Sequence, residues 1–206
     1  NMQQTKTELI LLRGLSREIN HWGEFLEIIK KDNIYKVITC DLPGVGKNYR
    51  MKSPLSLNKA VDFLRKNSLE QSNPKAKKRL ILGLSFGGML AWTWQKKYPA
   101  DFTGSILINS SFGSLSPFYQ RINPKAVITL LPLLLLNKRS QMEKKLYHFV
   151  SNKEISQDTI DLWLKIQKEH PVSSRTIFSQ LALGAHFSAK AVPSKIPTLI
   201  LSSKND

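Results

Sequence analysis

The sequence predicts an α/β fold built on a mainly parallel sheet. Three features point there: five short, continuous apolar runs, amphipathic stretches between the early ones, and turn residues that close the first two. Continuous apolar runs suit strands covered on both faces, because neither side of such a strand meets water. Parallel neighbours also need a long crossover between them, normally a helix.

The first run, residues 8–12, is stopped by Gly14. Residues 22–30 follow, with Trp22, Phe25, Leu26 and Ile29 on one helical face. The second run, 35–40, is stopped by Asp41-Leu42-Pro43-Gly44, after which residues 57–69 set Ala60, Val61 and Leu64 at helical spacing. The third run, 79–83, leads into a helix over 86–98, and runs at 104–108 and 197–201 complete the set. No internal repeat is visible.

From about residue 113 to 192 the alternation gives way to successive helical patterns. These include 158–169 (Ile160, Trp163, Leu164) and 174–185 (Ile177, Phe178, Leu181, Ala185), punctuated by Pro117, Pro124, Pro171 and Pro193. The expected organisation is therefore a core (1–112), a helical lid insertion (113–192) and a continuation of the core (193–206). The most apolar stretch, 127–136, is interrupted by Thr129 and Pro132 and is shorter than the ~20 residues of a membrane helix. It reads as a buried or lipid-contacting helix, and no transmembrane segment is expected.

The chemistry concentrates at Gly83-Leu84-Ser85-Phe86-Gly87, a G-x-S-x-G between a strand and a helix. A tight strand-to-helix turn forces its central residue into strained backbone geometry, and small neighbours let the chain segments pass closely. Ser85 then projects above the sheet edge, with the N-terminus of the next helix positioned to stabilise negative charge.

On this motif and its context the chain resembles the α/β-hydrolase family over nearly its whole length. The lid-bearing single-domain esterases are the nearest type, including those that act on pimeloyl-carrier-protein methyl esters. The resemblance implies that Ser85 is the nucleophile. It also implies that Leu15, in Leu12-Arg13-Gly14-Leu15, and Phe86 supply the two backbone N–H groups of an oxyanion hole. Arg13 stands where the family usually carries His. Asp41-Leu42-Pro43-Gly44-Val45-Gly46 is similar to the family's Asp-x-x-Gly-x-Gly turn, with Asp41 structural.

The triad acid implied is Asp206, after the last apolar run, since the alternative position after the preceding strand holds Asn109 and cannot ionise. The family order is Ser, acid, His, and all four histidines, His21, His148, His170 and His186, precede Asp206. The chain thus reads as C-terminally truncated, lacking its base and inactive as given, with His186 the weak substitute. Gly44-Val45-Gly46-Lys47-Asn48 fails as a phosphate loop, and Tyr49 fails the dinucleotide fingerprint. No Cys or His cluster has metal-ligand spacing, so no metal or cofactor is expected.

Lys and Arg number 31 against 15 Asp and Glu, a net charge of +16, while 41% hydrophobic residues suffice for a core. The positive residues cluster at 75–79, 96–97, 138–139 and 144–145. Such a field suits an acidic partner, and the resemblance implies an acyl-carrier protein bearing the substrate. No nucleic-acid motif accompanies the charge. A lone cysteine, Cys40, and an N-terminus without a signal pattern fit a cytoplasmic location. The expected function is serine-dependent cleavage of a carboxylic ester or related acyl bond, of a small-molecule or carrier-linked substrate. The alternative is a catalytically silent hydrolase-fold protein that binds an apolar ligand or partner in the lid groove.

Overall fold

A computed structural model of the chain describes residues 6–110, 124–136, 138–150, 154, 156–187 and 194–203. Strands occupy all five apolar runs: β1 (Thr7–Leu12), β2 (Tyr35–Thr39), β3 (Arg79–Leu84), β4 (Gly104–Ile108) and β5 (Thr198–Leu201). They form one all-parallel sheet in the order β2-β1-β3-β4-β5. Helices α1 (Glu24–Lys31), α2 (Leu57–Leu69) and α3 (Phe86–Lys97) make the early crossovers. Helices α4 (Pro124–Leu135), α5 (Arg139–Val150), α6 (Gln157–Glu169) and α7 (Ser174–His186) form the insertion between β4 and β5. Both expected lid boundaries, near 113 and 192, lie outside the described residues.

Side chains alternate across a strand, and both faces of β1 are covered. Leu9 and Leu11 pack with Trp22, Leu26 and Leu82. Ile10 and Leu12 face the larger cluster containing Ile81, Val61, Leu64, Leu90 and Trp94. That two-sided burial is why the run has no polar gaps. β5 departs from it, since Leu199, Ile200 and Leu201 are 53%, 58% and 44% exposed. It is an end strand of the sheet among the described residues, so one side lacks a neighbour.

One expectation needs correction, and two helices show faces that the sequence left open. The helix over 22–30 is broken by Gly23 at φ 52°, which separates a 3₁₀ turn (Ile19–Trp22) from α1. This resets the helix start, so Leu26 is buried while Phe25 is exposed and rests on Trp22, ring centroids 5.3 Å apart. On α7 the buried residues are Thr176, Ile177 and Gln180, and Phe178 and Leu181 face outward. Gln180 occupies the inward stripe because its side chain accepts the Ser16 N–H, while Thr176 bonds to the N-cap Ser173. On α4 Leu134 is buried, whereas Ile128, Leu131 and Leu135 are exposed.

Two members of the basic clusters are ion-paired, Arg79 within the fold and Lys97 at the surface. Arg79 Nε lies 2.9 Å from Oε2 of the fully buried Glu8, and Lys97 Nζ lies 2.6 Å from Asp62. Burial pushes the Glu8 carboxyl up, but hydrogen bonds from Ser72, Asn73 and Arg79 outweigh it and hold it below the ordinary value. Among the described residues no helix is long and apolar enough to cross a membrane.

Candidate active site

Ser85 lies where β3 passes into α3, with φ 55° and ψ −119°, a region that costs a non-glycine residue about 1–3 kcal/mol. Close packing holds it there. A Cβ on Gly83 would lie 2.3 Å from the Gly87 carbonyl oxygen, and one on Gly87 would lie 2.3 Å from that of Leu12. The start of α3 therefore crosses β3 and the end of β1 at distances only glycine permits. The Ser85 N–H donates to the Ile108 carbonyl at 2.8 Å, and its carbonyl accepts from Gly88 N–H at 2.9 Å and Ser110 Oγ at 3.0 Å. The side chain is exposed, and its hydroxyl has no hydrogen-bond partner among the described residues. Phe86 is the first residue of α3, so its N–H has no intrahelical acceptor.

Beside the elbow runs the loop after β1. A Cβ on Gly14 would lie 3.5 Å from Ser85 Cβ and 4.0 Å from its Oγ. The chain then turns, Arg17 N–H donating to the Gly14 carbonyl at 3.2 Å, with Leu15 half-buried inside the turn and Ser16 at φ 56°. The inserted helices grip this loop at three points. Ser16 N–H donates to Oε1 of the buried Gln180 on α7 at 2.7 Å. Arg17 donates to Glu143 on α5 at 2.6 Å and lies over the Trp163 ring of α6, 4.4 Å from its centroid. His170, the C-cap of α6, donates from Nδ1 to Glu18 Oε2 at 2.8 Å.

Asp41 closes the turn after β2. Its Oδ1 accepts from Ile19 N–H at 2.9 Å and its Oδ2 from Lys47 N–H at 3.3 Å, tying the β1 loop to the β2 loop. Burial and the Glu18 charge push its carboxyl up to about 6, against the pull of those N–H donors and His170. The structural reading of Asp41 fits this geometry. Arg13 stacks on Trp22, 4.7 Å from the ring centroid, and burial with the Arg17 charge lowers it to about 10, still protonated at neutral pH.

The described histidine side chains are engaged elsewhere. His21 accepts Glu18 N–H at 3.1 Å, and burial beside Arg17 and Arg13 pushes it down to about 2, so its ring stays neutral. His186 donates to the Ala182 carbonyl at 2.8 Å. Neither these nor His170 bonds to Ser85, and the side chain of His148 lies outside the described residues. Asp206 also lies outside them. Its approach is nonetheless defined as far as Ser203, whose N–H donates to Asn109 Oδ1 at 2.9 Å, while Asn109 N–H donates to the Leu201 carbonyl at 2.8 Å.

Gln180, Ser110 and Glu18 were not legible as site residues, since each is a lone polar side chain outside any motif. Asn109 stands out only by its position at the end of a strand. Among the described residues no group of three or more His, Cys, Asp or Glu side chains could hold a metal ion.

A protein-family model described as "Serine aminopeptidase, S33" (Hydrolase_4) matches residues 3–206. Pimeloyl-[acyl-carrier protein] methyl ester esterase of Wigglesworthia glossinidia brevipalpis is 30% identical over 103 residues, 50% of this chain and 36% of that protein. The chain thus matches about a third of that relative's length. Among solved structures, the esterase EaEST from Exiguobacterium antarcticum superposes with a TM-score of 0.73 at 20% identity, over 95% of this chain and 73% of that one. The type II thioesterase BorB from the borrelidin biosynthetic cluster gives 0.67 at 12% identity, over 99% of this chain and 75% of the other. Both likenesses concern the fold.

Proposed function

Because the chain belongs to the Hydrolase_4 family of α/β hydrolases, we propose that it is a serine hydrolase cleaving a carboxylic ester or related acyl bond through an acyl-enzyme. The observation that carries this reading is Ser85, an exposed hydroxyl on a strained backbone at the head of α3. Its Oγ attacks the acyl carbonyl, and the carbonyl oxygen gains negative charge as the tetrahedral intermediate forms. The N–H groups of Phe86 and Leu15 receive that oxyanion. Their value lies in being fixed before charge develops, so no reorganisation is needed in the transition state. The Gly14 contact with Ser85 and the lid's hold on Ser16 support Leu15 in this role.

Asp206 orients the imidazole base, which the chain order of this fold puts after the acid. The base takes the Ser85 proton, returns it to the leaving alcohol or thiol, and then activates water against the acyl-enzyme. The substrate is a carrier-linked acyl ester and the partner an acidic acyl-carrier protein. This finer reading draws on the +16 charge and on the activity named for the Wigglesworthia relative. The full-length protein should be labelled by a fluorophosphonate at Ser85, and Ser85→Ala should abolish both labelling and ester hydrolysis. Loss of a triad nucleophile costs about 10⁶ in rate, so hydrolysis persisting in Ser85→Ala rejects the assignment.

A further inference from the structure

α7 faces the segment 49–59 that follows the Asp41 loop. Between them lies a cleft of about 1040 Å³, ample for a ligand of several hundred daltons. Arg50, Lys52, Lys59 and Arg175 line it, and among the described residues no Asp or Glu does. The side chains of Lys52, Lys59 and Arg175 have no ion-pair or hydrogen-bond partner among the described residues, while Arg50 meets only the Tyr49 hydroxyl and ring. Cations gathered without a counter-charge raise the local positive potential and attract anions.

The same walls are apolar in part. Leu55 is 80% exposed and Phe178 40% exposed, both bordering the cleft. An inorganic anion leaves the apolar wall bare, and a neutral hydrocarbon leaves the cations uncompensated. A molecule with one charged end and one alkyl chain satisfies both. Ser85, Leu15 and Phe86 do not line this cleft.

We propose that the cleft is a second binding site, distinct from the Ser85 elbow, for a single-chain amphiphile with an anionic headgroup. The chain covers Leu55 and Phe178. The headgroup oxygens meet Arg175, whose planar fork matches phosphate or carboxylate, together with Lys52 and Lys59. The site stands whether or not Ser85 is the nucleophile.

The test is calorimetric titration of the full-length protein with decyl phosphate below its micelle-forming concentration, beside inorganic phosphate and 1-decanol. Decyl phosphate should bind at least tenfold more tightly than either. Combined Lys52→Glu and Arg175→Glu should weaken it tenfold or more, and Leu55→Asp several-fold. All three side chains are exposed, and an unchanged Tm confirms that the variants fold. Ser85→Ala, and protein already labelled at Ser85, should bind decyl phosphate as before, which separates this site from the catalytic reading. Equal affinity for inorganic phosphate or for decanol overturns the proposal. So do undiminished binding by the charge-reversed variant, loss of binding on labelling Ser85, and binding confined to phosphatidylglycerol vesicles.

Discussion

Gly83 and Gly87 let Ser85 keep its left-handed backbone, because a methyl at either would fall 2.3 Å from a carbonyl oxygen. Backbone cannot yield as a side-chain tip can, so Gly87→Ala should cost about 2–4 kcal/mol, seen as a lower urea midpoint together with slower Ser85 labelling. Gly184→Ala is the control, since its added Cβ meets only ordinary contacts at 3.7 Å with Met89 and Phe86. It should be neutral or stabilising by up to ~1 kcal/mol, as alanine is the better helix former. Asp41 gives a pH signature. Its carboxyl is raised from 3.8 to about 6, so the folded state holds a proton that the unfolded state has released. The stability this contributes is complete below pH 3.8 and is lost as the pH rises through about 6. The wild type should therefore lose stability relative to Asp41→Asn, on the order of 3 kcal/mol, between urea melts at pH 3.8 and pH 7. A pH-independent difference means the carboxyl is not raised. Ser85 was legible because its motif prescribes a local turn. The shift at Asp41 was not, since Glu18 and Ile19 reach it only through the fold.

α7 is the element whose role most exceeds what its pattern suggests. Its apolar pattern includes Phe178 and Leu181, yet Gln180 is buried and they are exposed. The Gln180 carbonyl oxygen takes the Ser16 N–H at 2.7 Å, one residue from the proposed oxyanion donor Leu15. Removing the acceptor leaves a part-buried N–H unpaired, at a cost of about 1–3 kcal/mol. Gln180→Leu should thus slow fluorophosphonate labelling of Ser85 and lower kcat by roughly 10–100-fold, with little change in KM. Gln180→Glu keeps an acceptor and should recover most of the rate. If both variants fall equally, or KM carries the loss, Gln180 does not position the loop. α2 behaved more simply, because three of its four buried residues, Ala60, Val61 and Leu64, are apolar and periodicity found them, Ser68 being the polar fourth.

For the whole molecule, the charge balance of +16 is spread unevenly. Lys77, Lys78, Lys144 and Lys145 are exposed, while Arg79 and Lys97 are paired with Glu8 and Asp62. Exposed charges act over a Debye length of ~8 Å at physiological salt. If they steer an acidic carrier, kcat/KM for a carrier-linked ester should fall steeply as salt rises, while that for a neutral short ester stays flat. Combined Lys144→Glu and Lys145→Glu should reproduce the high-salt rate at low salt, since rim charges act chiefly on association. Parallel salt curves for the two substrates remove the carrier from the reading.

By itself the sequence determined the five strands, their parallel arrangement, the helical insertion and the elbow at Ser85. The strands and the elbow depend on neighbours within a few residues, through the two-sided burial of a short apolar run or the backbone demands of a Gly-x-Ser-x-Gly turn, and the parallel arrangement follows from the alternation of strands and helices along the chain. Tertiary structure alone decided that Gln180 and Glu143 hold the loop beside Ser85, that Arg79 neutralises Glu8, and that Arg50, Lys52, Lys59 and Arg175 share one cleft. These pairings join residues far apart in the chain. A polar side chain has no local signal for its partner: the β1–β3 register sets Arg79 beside Glu8, and the packing of α5, α6 and α7 brings the other groups together.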